Sequence, residues 1–159
     1  MLVSKISDEK WFLEAAAAAQ QSLCLRDKCG SVIIKDESII ARGYNAPPLD
    51  DLGQRTCLND YDLTKKPKFD KSCCMHAEWR AIFNALRHYP GEVQGSTLYF
   101  MRLDEKGSMT RAGQPYCTVC SRLALDAGIK LFCLWREDGI VAYPTDLYNQ
   151  LSYQFFSKE

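Results

Sequence analysis

Residues 117–135 read CTVCSRLALDAGIKLFCLW, and they set the architecture. The first half has helical spacing and stops at Gly128, the residue type that closes helices in a left-handed turn. IKLFCLW then reads as a buried strand, REDG turns it, and IVAY returns as a shorter strand. PTDLYNQLSYQFF follows as an amphipathic helix capped at Thr145. Working back from Cys117, DEKGSMTRAGQ is a polar loop and STLYFMRL is a strand. Residues 75–87 have helical periodicity, with Pro90 and Gly91 beyond their end. CGSVIIKDESIIARGYN reads as two strands about a turn at 36–38, and the polar stretch 46–72 is too long to be idle in a compact domain. Near the start, Ser7 is positioned to cap a helix with Asp8 and Glu9 in its first turn, and its alanine run predicts a close-packed face. Strands alternating with helices predict a layered α/β fold with a mixed sheet, with residues 1–159 as one domain.

Composition narrows the function. Twenty basic and 20 acidic residues cancel, which weighs against a bulk nucleic-acid binder, whose surface carries a basic excess. Charges interrupt every apolar run of the N-terminus, and no stretch reaches the length of a membrane helix, so neither a signal peptide nor a membrane partner is expected. The expected location is cytoplasmic, where the eight cysteines remain reduced thiols or bind metal.

KSCCMHAEWRAI, residues 71–82, places His76 and Glu78 at the mouth of a helix. Two residues on a helix are separated by about 200°, so these side chains share no face in mid-helix. At the open first turn both can bend toward one point. Cys117 and Cys120, three apart, share a face at the start of another helix, where the dipole favours thiolates. His76 with two thiolates makes three ligands, which leaves the fourth tetrahedral position of zinc open. That pattern marks a catalytic site, since structural zinc is closed by four protein ligands. Glu78 is then a proton carrier and not a ligand.

H-x-E followed by P-C-x-x-C is the signature of zinc-dependent deaminases. SLCLRDKCGSVIIKD, ARGYNAPP, CMHAEWRAI, STLYF and CTVCSRLALDAGIKL occur in the family's order, and over residues 22–134 the chain resembles the cytidine and deoxycytidylate deaminases. The resemblance implies a three-layer α/β/α fold around a five-stranded mixed sheet, with zinc (Zn2+) held by His76, Cys117 and Cys120. It implies hydrolytic removal of the amine at C4 of a cytosine nucleoside or nucleotide. Glu78 would deliver the water's proton to ring N3 and would then protonate the departing ammonia, and Asn45, Ala77 and Tyr116 would bind the substrate. A homo-oligomer is also implied. Three departures stand out: Tyr116 separates Pro115 from Cys117, extra residues lie between STLYF and the cysteines, and LFCLWREDGIVAY ends as a hairpin, closer to the free-cytidine branch.

Alternatives stay open on these residues. The family includes deaminases of adenine, of guanine and of bases within RNA or single-stranded DNA, which the zinc motif does not separate. A catalytically silent zinc module is the rival from another class, and it leaves Glu78 without a purpose. Cys24, Cys57 and Cys73 or Cys74 could hold a second zinc, as in some deoxycytidylate deaminases, or stand as metal-free thiols. Cys29 and Cys133 fall in strands and are expected in the core, and His88 at a helix C-terminus. Tyr116 either stacks on a base or packs beside the zinc helix, and Asn45 has a plain reading as a turn residue. Arg26, Lys28, Arg55 and Arg111 are phosphate candidates. The loops 46–72 and 104–116 carry Arg55, Lys65, Lys66, Lys68, Lys106 and Arg111, which favours a nucleotide over a free nucleoside.

Overall fold

The computed structural model describes residues 4–62, 64 and 73–155. In chain order the elements are β1 (Ser4–Ile6), α1 (Glu9–Ala19), β2 (Lys28–Lys35), β3 (Ser38–Tyr44), α2 (Ala77–His88), β4 (Thr97–Leu103), α3 (Thr118–Asp126), β5 (Leu131–Arg136), β6 (Gly139–Pro144) and α4 (Thr145–Gln154). They form one sheet in the order β1-β6-β5-β4-β2-β3. Every neighbouring pair is antiparallel except β4 with β5. That parallel pair needs a crossover, and α3 supplies it.

Side-chain alternation along the strands builds two cores. On β2, Val32 and Ile34 join Trp11, Phe12 and Ala15 of α1 on one face, while Ile33 joins Ala81 and Ile82 of α2 on the other. On β5, Cys133 faces α1, whereas Phe132 and Leu134 face the side of α2, α3 and α4. The period of two thus puts helices on both faces and gives the expected α/β/α layering. The β2–β3 turn also matches the sequence: Asp36 and Glu37 have φ of +48° and +58°, the left-handed pair of a two-residue hairpin.

The five expected strands are β2–β6, and a sixth, β1, adds to the free edge of β6. Three residues carry too little periodicity to register as a strand. The expected caps also move. Asp8, not Ser7, precedes α1, and its carboxylate accepts the Tyr99 hydroxyl at 2.8 Å instead of capping. Thr145 is the first residue of α4 rather than its cap, with its hydroxyl buried.

The helices lie close to the sheet where glycine allows it. A Cβ at Gly43 would come within 2.2 Å of the Ala77 carbonyl oxygen and 2.4 Å of the Ala81 nitrogen; at Gly30 it would meet Ala15 in the same way. Gly43→Ala must therefore push α2 off the sheet. We expect a loss of about 1–3 kcal/mol or more, the usual effect of overpacking, and a lowered melting temperature in thermal unfolding. An unchanged melting temperature would show that α2 can move freely.

Candidate active site

The N-termini of α2 and α3 converge at one end of the sheet. His76 precedes the first residue of α2, and Cys117 holds the equivalent place before α3, its sulfur accepting the Cys120 backbone N–H at 3.4 Å. His76 Nδ1 lies 3.2 Å from Cys120 Sγ and 3.7 Å from Cys117 Sγ, and the two sulfurs are 2.8 Å apart. All three ligand atoms are within 4.8 Å of one another. One imidazole nitrogen and two sulfurs at that spacing suit a borderline-soft ion with bonds of about 2.0–2.3 Å, and zinc fits the donor set. Hydrogen bonding from Cys120 holds the Cys117 thiol down at about 4, while Cys120 itself is pushed up by the same contact and by burial. Trp79 braces the group: its ring stacks on His76 at 4.1 Å, and its indole N–H faces Cys120.

Glu78 is the second residue of α2 and is only 7% exposed. Burial pushes its carboxyl up to about 7, against the pull of its own backbone N–H. A proton near neutral pH is thus easily taken and easily given. Its carboxylate, His76 and Cys117 open into one cavity of about 220 Å³ that Phe100, Leu134 and Ala112 wall with apolar surface.

Each substrate residue expected from the sequence borders this cavity. Ala77 lines it, 1% exposed, at the first turn of α2. Tyr116 lines it too, half exposed and resting against Phe155 at 5.6 Å. Asn45 also lines it, with its amide largely engaged. Its oxygen accepts from Ser22 Oγ at 2.6 Å and from the Cys29 backbone N–H at 2.8 Å, and its nitrogen donates to the Asp27 carbonyl at 2.7 Å. It therefore ties down the segment that carries Cys24, Arg26 and Cys29 to the cavity wall. Cys29, expected in the core, stands on that wall instead, because its strand runs past the core's edge; Cys133 is buried as expected.

The phosphate candidates separate clearly. Arg26 borders the cavity, and so does Arg102 of β4, which the sequence did not single out. Arg102 is 4.0 Å from Asp27 and partly exposed, so this ion pair leaves its guanidinium largely available. Arg55 instead donates to the Leu23 carbonyl, and Arg111 lies 4.0 Å over the Trp135 ring. Lys65, Lys66 and Lys68 lie outside the described residues. Arg102 shares a strand face with Leu98 and Phe100, one step beyond the core; that alternation was its only signal in the sequence.

The remaining cysteines make a chain rather than a cluster. Cys57 adjoins Cys73, Cys73 adjoins Cys74, and Cys74 adjoins Cys24. Among the described residues, the group gathered closely enough for a metal is His76, Cys117 and Cys120. A second anchor holds the segment that follows β3 against α2. Arg80 of α2 pairs with Asp50, which also accepts the Tyr44 hydroxyl, and donates to the Pro47 carbonyl at 3.0 Å. Burial raises the Asp50 carboxyl, but those two hydrogen bonds outweigh it and hold the group below its ordinary value. The bracket keeps Leu49 and Asp50 at a φ of +58°, strain that only surrounding contacts sustain.

Residues 5–135 match the family model described as the cytidine and deoxycytidylate deaminase zinc-binding region. A deoxycytidylate deaminase of Mycobacterium phage D29 is 31% identical over 133 residues, covering 77% of this chain and 89% of that protein. The deoxycytidylate deaminase of Saccharomyces cerevisiae is 33% identical over 96 residues, 57% of this chain and 29% of that one. Among solved structures, the dCMP deaminase of cyanophage S-TIM5 in complex with dCMP and dUMP aligns with a TM-score of 0.52 at 22% identity, covering 78% and 76% of the two chains. Cytidine deaminase from Burkholderia pseudomallei aligns at 0.59 and 14% identity, over 90% and 96%. At these identities the structural likeness speaks to the fold.

Proposed function

This chain belongs to the cytidine and deoxycytidylate deaminase zinc-binding family, and from that premise we propose that it hydrolyses a cytosine nucleotide, deoxycytidylate foremost, to the uracil product and ammonia. The observation that carries the reading is a buried glutamate that shares one cavity with His76 and Cys117, the buried Cys120 completing the ligand group behind them. His76, Cys117 and Cys120 would hold zinc, which when bound supplies Lewis acidity and brings the ionisation of water toward neutral pH. Glu78 does the proton work. Its carboxylate accepts a proton from the attacking water and delivers it to N3 of the ring. The carboxylate then takes the second proton, from the hydroxyl now on C4, and passes it to the amine as the C–N bond breaks and the C4 oxygen becomes the carbonyl of the product, so base and acid are one group. Phe100 and Leu134 exclude water from the ring, and Ala77 and Asn45 border the base.

Arg26 and Arg102 support a nucleotide over a nucleoside, since guanidinium recognises phosphate through paired donors. Eight free thiols support a reducing, cytoplasmic setting. Among the described residues no helix is long and apolar enough to cross a membrane. We read residues 1–159 as one such domain, acting on a small molecule and working as a homo-oligomer.

The test compares kcat/KM for deoxycytidylate, deoxycytidine, cytidylate, adenosine, guanine and a short single strand by ammonia release. Deoxycytidylate should exceed deoxycytidine by about tenfold or more, the value of one or two charge-assisted hydrogen bonds. Arg102→Gln should erase much of that advantage and spare deoxycytidine. Equal rates on the two would exclude the nucleotide reading, and preference for a purine or a single strand would replace the substrate class.

A further inference from the structure

Three tyrosines are buried, Tyr99, Tyr143 and Tyr148, each less than 5% exposed. Two of them have hydroxyl partners within the protein. Tyr99 donates to Asp8 at 2.8 Å, and the Tyr143 oxygen accepts from Arg136 at 2.8 Å. Tyr148 differs. Among the described residues its hydroxyl has no hydrogen-bond partner, yet the side chain lines the cavity that contains Glu78 and Cys117. That hydroxyl is not one of the sealed, unpaired groups of the interior, so it is the polar end of the buried ring that the cavity reaches, able to pair with a group that arrives from outside.

The ring is also held in place. It stacks on Phe132 with centroids 3.9 Å apart and planes 14° apart, and it meets Tyr143 edge-on at 5.6 Å. Its helix is tied to α3 at the next residue, where the Asn149 side-chain oxygen accepts from Ser121 Oγ at 2.8 Å. The hydroxyl is therefore positioned before any ligand binds, the condition under which a hydrogen bond adds most to recognition. Burial, and next the charge of Glu78, hold the phenol well above its ordinary value, so it stays protonated and able to donate. Around it the cavity wall is Phe100, Leu134 and Ala112, which offer a ring edge no polar contact.

We propose that Tyr148 is a substrate-contacting residue whose hydroxyl donates a hydrogen bond to the bound cytosine ring beside Glu78. The inference rests on the cytosine-deaminase reading and assigns α4 a share of the specificity. Tyr148→Phe removes the hydroxyl and keeps both aromatic contacts.

Binding is measured without turnover, by titrating deoxycytidylate calorimetrically into zinc-loaded Glu78→Gln protein with and without Tyr148→Phe. Thermal unfolding of the four proteins (parent, each single variant and the double variant) runs alongside. The expected result is an affinity about tenfold weaker on loss of the hydroxyl, with a melting temperature unchanged or raised. Affinities within twofold of each other would overturn the role of Tyr148 and leave the deaminase reading intact. A weaker affinity accompanied by a clear drop in melting temperature would also overturn it, because the hydroxyl would then support the fold. If Glu78→Gln protein fails to bind deoxycytidylate at all, the substrate reading falls and this inference falls with it.

Discussion

Glu78→Gln is expected to reduce turnover by about 10²–10⁴-fold, toward the upper end, because one carboxyl serves several proton transfers. The amide keeps the size and much of the hydrogen bonding of the acid but cannot take up a proton and pass it on. Zinc content should not change, since Glu78 is outside the group of His76, Cys117 and Cys120. Stability should hold or rise. The carboxyl is buried and pushed up to about 7 by that burial, so a neutral replacement removes a strained charge, the usual trade between stability and activity at a catalytic site. Ammonia release, metal analysis and thermal unfolding on one preparation test all three statements. Near-normal turnover would end the proton-shuttle mechanism and revive the silent zinc module.

Cys120→Ala should remove metal and activity together. Cys120 is fully buried and sits 3.2 Å from His76 Nδ1 and 2.8 Å from Cys117 Sγ, so no other thiol can take its place without rebuilding the start of α3. Two remaining ligands cannot hold zinc as three do. The expected loss of metal affinity exceeds the roughly 10–100-fold caused by removing an outer-sphere partner. Cys133→Ala is the matched control: Cys133 is equally buried but faces α1 on the other side of the sheet. It should retain its zinc and most of its turnover. Full metal content in Cys120→Ala would show that the ligands are misassigned.

The metal half of the site was legible because it is written locally. His76 and Glu78 share one helix start, Cys117 and Cys120 share another, and each spacing has a chemical reason. The β2–β3 hairpin was legible for a related reason, since alternation and a two-residue turn are properties of neighbouring residues. What sequence left dark was long-range. Arg102 looks like any polar residue on a strand until the end of β4 is seen to reach the cavity. Tyr148 reads in the sequence as one residue of an amphipathic helix, and only the fold brings it to the cavity that Glu78 borders. The resemblance of ARGYNAPP to the family implies Asn45 as a substrate contact, but the hydrogen bonds that tie it to Ser22, Asp27 and Cys29 cross stretches that sequence does not connect. The edge strand β1 is simply too short to carry a pattern.

The lone parallel pairing, β4 beside β5, carries a kinetic consequence. The β2–β3 and β5–β6 hairpins can each form from nearby residues, but β5 reaches β4 only after α3 has crossed over the sheet. Like the longer closures of β2 with β4 and β1 with β6, this one loses entropy before its contacts form. His76 stands before β4 and the two cysteines at the start of the crossing helix, so the metal ligands meet only when α2 and α3 have both docked on the sheet. Stabilisation gained after the transition state slows escape from the native state and leaves the folding rate nearly untouched. Zinc in this protein is then a brake on unfolding, and the lifetime of the folded chain becomes linked to the occupancy of its own reaction centre.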